Sequence, residues 1–226
     1  MTAPDDNPPP GWNDHWARLW AAEDRGALIP CRVVRIDKGG ITVSSHPGDE
    51  RLVVAAKTAR KVVVGDVCGL DEPAGRVEVI LPRRTVFERR SPGVSRDQLQ
   101  LRSRPVAANM DLVYVLQPLD PGLNTGRLAR ELVLAWESGA TPVVVLTKAD
   151  LVDEATARRQ RDDARRFAPG VEVHCISTRS DGGLAALSEL HGPGHVIALL
   201  GASGAGKSTL VNALAGHHVQ LTAEVR

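Results

Sequence analysis

The chain has few aromatic rings and little sulfur: one Tyr, two Phe, four Trp, two Met and three Cys in 226 residues. Cys31, Cys68 and Cys175 lie far apart and form no C-x-x-C or Cys/His cluster. This excludes a zinc site built from neighbouring ligands and the disulfide framework of a small secreted domain. The three are expected to be buried core thiols in a reducing compartment. No apolar run approaches the 18 residues of a membrane span, and the N-terminus MTAPDDNPPPGW has neither the basic nor the apolar region of a secretory signal. The chain is therefore expected to be cytoplasmic, with no membrane partner. An excess of one charge is also missing. The 28 Lys and Arg stand against 27 Asp and Glu, so any attraction to nucleic acid must be local.

The length suits one large domain or two modest ones, and the apolar share of 42% with 24% charged residues excludes collagen-like, mucin-like and wholly disordered classes. Residues 1–26 read as an N-terminal extension. Its Pro/Asp/Asn-rich start has too little apolar surface to order itself, and Trp12, Trp16 and Trp20 then recur at the spacing of one helix face. Five acids, Asp5, Asp6, Asp14, Glu23 and Asp24, oppose Arg18 and Arg25, so the stripe reads as a packing surface rather than a platform for bases.

Residues 27–82 carry five short β-branched runs, CRVVRI, ITVSS, RLVVAA, DVCGL and GRVEVIL, separated by KGG, HPGD, VGD and EPAG. The pattern predicts a small closed barrel. An OB-type barrel, a fold that often binds oligonucleotides, leads, and an SH3-like barrel gives the same pattern. Residues 83–106 form an arginine-rich linker in which Arg83, Arg84, Arg89, Arg90, Arg96, Arg102 and Arg104 face only Glu88 and Asp97. Two readings stay open: a solvated linker, or an arm that contacts RNA phosphates through Arg83, Arg84, Arg89 and Arg90 and is strongly salt-sensitive.

From 107 to 226 strands and helices alternate. The buried runs LVYVL (112–116), PVVVL (142–146), VEVHCI (171–176) and VIALL (196–200) are separated by a helix with Leu128, Leu132 and Trp136 on one face closed by Gly139, a charged helix over 154–167, and a short helix around Leu184 and Leu187. A last helix carries Leu210, Val211 and Leu214 and stops at Gly216. Such alternation predicts a parallel sheet covered on both faces.

Directly after VIALL stands Gly201-Ala202-Ser203-Gly204-Ala205-Gly206-Lys207-Ser208-Thr209, a complete G-x-x-x-x-G-K-[ST] in its strand-to-helix context. The glycines let successive N–H groups turn inward around phosphates, and the following helix aims its positive end at the same point. Lys207 is expected at the β- and γ-phosphates, Ser208 on Mg²⁺ and Thr209 at the α-phosphate. Thr147-Lys148-Ala149-Asp150 follows PVVVL at the carboxyl edge of the sheet, where ligands of such sheets bind. An ionised Asp150 accepts from both guanine N1–H and the exocyclic amine, and the stem of Lys148 can cover the base. Ser177 and Thr178, after VEVHCI, bring backbone N–H groups toward guanine O6.

These motifs resemble those of the translation-factor class of GTPases, but here the base-reading T-K-A-D precedes the phosphate loop by about 50 residues, an order that looks like a circular permutation. A β-barrel, ILPRRT (80–85), AANMD (107–111), TKAD, ST and GASGAGKST in this order resemble the small ribosomal subunit biogenesis GTPases of the RsgA type, from about Leu28 to the C-terminus. The resemblance implies an OB-type β-barrel followed by a circularly permuted α/β P-loop GTPase domain, with GTP or GDP and Mg²⁺ as cofactors. It also implies a bacterial monomer that binds the small ribosomal subunit and its rRNA, assists late maturation, and hydrolyses GTP slowly until the subunit stimulates it.

Two departures bear on this. The family usually has Asn at Thr147, and a hydroxyl replaces only part of an amide's bonding, which lowers nucleotide affinity a few-fold. Family members also continue through switch I, a DxxG switch II and a zinc-binding domain, so the GTPase domain is expected to be incomplete at the C-terminus, with no zinc ligand cluster and no identifiable catalytic residue in this chain. Asp37–Gly40 and Asp66–Gly69 spell DxxG by chance within the barrel zone; Thr222 is no substitute for a switch hydroxyl, and His217 and His218 read as solvated. A P-loop ATPase or kinase fused to a barrel, and an RNA-binding module whose docking is gated by nucleotide, are the alternatives.

Overall fold

A computed structural model describes residues 8–38, 40–55, 61–90, 103–179, 181–190 and 194–215. The acidic start of the extension, Arg96, Arg102, Gly216, His217, His218 and Thr222 lie outside the described residues. The chain divides into two compact units, Met1–Met110 and Asp111–Arg226.

In the first unit, β1 (Ile29–Asp37), β2 (Gly40–Ser44), β3 (Glu50–Ala55), β4 (Val67–Asp71) and β5 (Arg76–Ile80) close a barrel in the order β1-β2-β3-β5-β4. Every pairing is antiparallel except β3 with β5, so the barrel is of the OB type. Alternation along the strands sends Cys31, Val33, Val43, Val53, Cys68, Leu70 and Val77 inward. Cys31 and Cys68 stand opposite each other as free thiols, and burial pushes Cys31 up to about 12 and raises Cys68 as well, which removes thiolate character at neutral pH. Cys175, expected in a core, is only partly buried.

The tryptophan stripe packs within this unit. Helix α1 (Asp14–Ala21) begins at Asn13, whose Oδ1 accepts from the N–H groups of His15 and Trp16. Trp16 is buried with Val67 and Leu81, and Trp20 is partly buried beside them. Trp12 precedes the helix and meets Trp20 edge-on at 6.3 Å between centroids.

The reading of 83–106 as a linker is corrected. β6 (Val86–Arg90) and β7 (Ser103–Ala108) pair as an antiparallel ribbon, tied to the barrel unit where Ala108 N–H donates to Val64 O at 2.9 Å. Arg83 is also corrected as an RNA contact, because its Nε and Nη2 bind Asp66 Oδ1 and Oδ2, both at 2.7 Å, and Nη2 also donates to Lys61 O. Asp66 is fully buried and accepts from Val63 N–H as well, so the second DxxG match is a structural anchor. Around it, Arg32 and Asn109 both donate to Gly65 O, and Arg84 N–H donates to Asn109 Oδ1. Gly65 has φ +92°, and a Cβ there would lie 1.9 Å from Ala108 O, so no other residue fits.

The second unit is a parallel sheet in the order β10-β9-β8-β11, from β8 (Leu112–Pro118), β9 (Thr141–Thr147), β10 (Glu172–Cys175) and β11 (Ile197–Gly201). Helices α2 (Thr125–Glu137) and α3 (Glu154–Phe167) pack on β8 to β10; α4 (Asp181–Leu190) and α5 (Lys207–Ala215) supply Leu187 and Leu210 to the core of Tyr114, Leu116, Val143 and Val145. The runs of the central strands β8 and β9 are thus buried along their length, as parallel strands require, while the edge strands β10 and β11 are only partly buried. Helix α2 buries Leu128, Leu132 and Ala135, and Trp136, expected on that face, is 51% exposed.

Candidate functional site

The parallel register of β11 on β8 brings Gly201 level with Leu116. A Cβ at Gly201 would stand 2.9 Å from Leu116 O, so glycine is what lets the strand end this close to its neighbour and turn into the loop. Gly201, Gly204 and Gly206 all have positive φ. Ala205 is buried, Ser203, Gly204, Ser208 and Thr209 face solvent, and α5 starts at Lys207. The first-turn N–H groups of this helix therefore open onto the concave side of the loop. Lys207 Nζ donates to Gly201 O at 3.0 Å and Ala202 O at 2.9 Å, which folds its ammonium back over the loop.

The base-side residues converge on the same sheet edge. Thr147, the last residue of β9 and 3% exposed, donates from Oγ1 to Ala205 O at 2.7 Å, and its own carbonyl accepts from Leu119 N–H. Lys148 takes left-handed geometry at φ 60° and ψ 39°, turning the chain so that Ala149 N–H donates to Ile176 O and Asp150 enters a short 3-10 turn, Ala149–Leu151. Ser177 Oγ then donates to Asp150 Oδ1 at 2.8 Å. This hydrogen bond, helped by Asp150's own backbone N–H and last by the charge of Arg179, lowers the Asp150 carboxyl below its ordinary value against an opposing desolvation. Asp150 is an ionised double acceptor at neutral pH. Thr178 is partly buried at the same turn.

Sequence reasoning missed two features here. Arg179 is 81% exposed, lies 3.7 Å from Asp150 Oδ2, and donates its backbone N–H to Ser177 Oγ; its place directly after Thr178 was the available signal. On α2, Glu131 Oε2 accepts from the buried Gln117 Nε2 at 2.6 Å. Burial raises the Glu131 carboxyl, and Arg127, the Gln117 bond, Lys207 and Arg130 pull it back, which places an acid within electrostatic range of the phosphate-loop lysine. No spacing in the sequence announces it. Of the expected RNA contacts outside this site, Arg84 and Arg89 are exposed, and Arg90 ends β6. Among the described residues no group of three or more His, Cys, Asp or Glu is placed to hold a metal ion.

Comparison with known proteins agrees with this geometry. A sequence model of the RsgA GTPase family matches residues 80–226. The small ribosomal subunit biogenesis GTPase RsgA of Streptomyces coelicolor is 42% identical over 214 residues, covering 91% of this chain and 57% of that protein. The chain thus spans little more than half the length of the curated relative it matches. Among solved structures, YjeQ from Thermotoga maritima superposes with a TM-score of 0.67 at 24% identity, covering 88% of this chain and 68% of that one. YloQ, described as a circularly permuted GTPase, gives 0.57 at 18% identity, covering 87% and 69%. The fold is that of a barrel followed by a permuted P-loop domain.

Proposed function

The chain belongs to the RsgA GTPase family, and from that membership we propose that it binds GTP and GDP in the cleft between its T-K-A-D turn and phosphate loop, within a protein that assists small-subunit maturation. The observation that carries this is the bond from Thr147 Oγ1 to Ala205 O, which ties the base-reading turn to the phosphate loop although 58 residues separate them. Asp150 reads the guanine N1–H and amine, Lys148 covers the base with its stem, and N–H groups after Ser177 and Thr178 meet O6. Residues 201–206 cradle the α- and β-phosphates, Lys207 leaves its loop carbonyls for the β- and γ-phosphates, and Thr209 bonds the α-phosphate.

The donors present fit Mg²⁺. Ser208 is exposed at the second residue of α5, and its hydroxyl would supply one of the oxygen ligands that Mg²⁺ takes, the others coming from phosphate and water. The ion would neutralise phosphate charge. Hydrolysis, stimulated by the small subunit and its rRNA, is proposed for the longer protein; within this chain no residue is assigned to orienting the attacking water. The protein is proposed to act as a cytoplasmic monomer.

Competition of GDP, GTP and ATP against a fluorescent GDP, with and without Mg²⁺, tests the reading. Displacement by both guanine nucleotides and not by ATP is expected. Equal displacement by ATP would replace the reading with a generic P-loop site.

A further inference from the structure

Along β8, Leu116 turns into the core that it shares with Leu187 of α4 and Leu210 of α5, so Gln117, the next residue, turns to the other face of the sheet, where α2 packs. There the Gln117 amide, 1% exposed, donates from Nε2 to Glu131 Oε2 at 2.6 Å. Leu116 is also the residue level with Gly201, whose carbonyl oxygen, together with that of Ala202, holds Lys207 Nζ. One step along β8 therefore separates the strand position beside the lysine's anchor from the amide that holds Glu131.

The charge of Glu131 is not cancelled where it stands. Its hydrogen bond is to a neutral amide, and among the described residues no ion pair includes it. Burial raises its carboxyl, and Arg127, the Gln117 bond, Lys207 and Arg130 pull it back, in that order. Arg127 and Arg130 belong to α2 itself; Lys207 opens α5 and is the member of this set that belongs to the nucleotide cleft. Glu131 is partly buried, and a charge so placed is screened less than one on the surface, so its field reaches the phosphates that Lys207 gathers.

We propose that Glu131 sets a preference for GDP over GTP, its carboxylate acting as a fixed negative charge beside the phosphate-loop lysine. The proposal rests on the guanine-nucleotide reading above and names the residue that separates the two nucleotides. GDP and GTP present the same base, sugar, α-phosphate and β-phosphate to the cleft, so repulsion from Glu131 weakens both. GTP brings a γ-phosphate, one further negative charge, to the same ammonium and carries the larger penalty. Discrimination is a difference of affinities, and a repulsive element supplies it as well as an attractive one. The Gln117 amide fixes the place of the carboxylate without neutralising it.

The test is displacement of a fluorescent GDP from this chain by unlabelled GDP, GTP, ADP and ATP in Mg²⁺, for the wild type, Glu131→Gln and Glu131→Asp across a pH series, with circular dichroism reporting the fold. At neutral pH Glu131→Gln is expected to bind GTP more tightly than the wild type and to lose roughly fivefold of the preference for GDP, the scale of a single added charge in a partly screened site. Glu131→Asp keeps the charge while shortening the reach to Gln117, and should keep most of the preference. The Glu131 carboxyl, raised by burial, is ionised above its raised value and gains its proton as pH falls through it. The wild-type preference should therefore converge on that of Glu131→Gln at acid pH, and dividing one by the other removes the titration of the nucleotides' own phosphates. A side chain that only props Gln117 would cost both nucleotides equally in Glu131→Gln, and more in Glu131→Asp, with no pH dependence of the ratio. That pattern, or an unchanged preference in a folded Glu131→Gln chain, overturns the proposal. Guanine selectivity with an unmoved preference sinks the role of Glu131 and leaves the nucleotide reading standing. Displacement by ATP as effective as by GTP sinks the guanine reading, and a preference for ADP over ATP that still depends on Glu131 keeps the role of the acid. A chain that binds no nucleotide sinks both.

Discussion

The two units use buried polar groups for opposite ends. In the barrel unit, Arg83 pairs with Asp66, and Arg32 and Asn109 both donate to the neighbouring Gly65 O, with Asp66 wholly enclosed. In the sheet unit, Thr147, Asp150 and Ser177 sit where parallel strands end; Thr147 and Ser177 are buried, and Asp150 keeps its carboxylate partly open to solvent. In the first set Asp66 spends its carboxylate within the unit, on Arg83 and Val63 N–H. The second set is held in place with acceptors still to offer. A polar residue is a candidate for ligand binding when its support is complete and its own valence is not, and the ends of parallel strands are where the backbone permits this.

If that contrast holds, the largest effect of any single change falls in the barrel unit and leaves the cleft's chemistry untouched. Gly65→Ala forces a Cβ to within 1.9 Å of Ala108 O at a residue with φ +92°. It should destabilise the unit by more than about 4 kcal/mol, among the rare severe substitutions, in chemical denaturation followed by circular dichroism. Wild-type stability would break the comparison at its root. Next comes Asp66→Ala, which strands Arg83 and Val63 N–H and should cost about 3–5 kcal/mol. The double change Asp66→Leu with Arg83→Leu should recover a large part of this, because an apolar pair of similar size escapes the desolvation cost.

In the sheet unit the same kind of change should strike binding and spare folding. Asp150→Asn trades two acceptors for one acceptor and a donor that opposes guanine N1–H. GDP affinity should fall roughly a hundredfold, in line with losing charge-assisted bonds, while the melting temperature stays within a degree or two of wild type. Thr147→Val removes the bond to Ala205 O and leaves that carbonyl buried, costing about 1 kcal/mol, or roughly fivefold in GDP affinity. Thr147→Asn should move the other way, since an amide keeps the loop bond and adds one. A Thr147→Val chain with full affinity would mean that the tie between the two loops is incidental.

The sheet unit was the more legible of the two, for a physical reason. Its strands are continuous apolar runs and its loop needs glycine at fixed places, so element and function are both written within a few neighbouring residues. The barrel strands were legible from alternation and turn residues. The ribbon was not, because Val86–Arg90 and Ser103–Ala108 mix Arg, Glu, Pro and Ala without a period and gain their pairing from each other across the intervening chain. Arg83 stood among arginines that look alike in sequence, and only its distant partner Asp66 separates it from Arg84. Trp136 shows the same limit from the apolar side. Helical spacing allowed it or Ala135 to face the sheet, and close packing chose the smaller residue.

The smallest expected effect is the one that asks whether support, rather than position alone, defines the site. Asp150 must be ionised to accept from guanine, and the Ser177 hydroxyl is the main influence that extends its ionised range to lower pH, with its own backbone N–H and then Arg179 adding to it. A carboxyl whose folded value is depressed holds its proton-free form above that value and loses it only as pH falls through it. GDP affinity should therefore stay level as pH drops through the ordinary carboxylate range and decline only below it. In Ser177→Ala the decline should begin at a higher pH, with affinity at neutral pH reduced only modestly, and Arg179→Ala should shift it less, because that guanidinium is exposed and screened. Titrating GDP binding against pH, with circular dichroism reporting that the chain stays folded, reads this directly. Identical profiles for wild type and Ser177→Ala would mean that the acid is tuned by its position at the strand end and not by the hydroxyl that holds it.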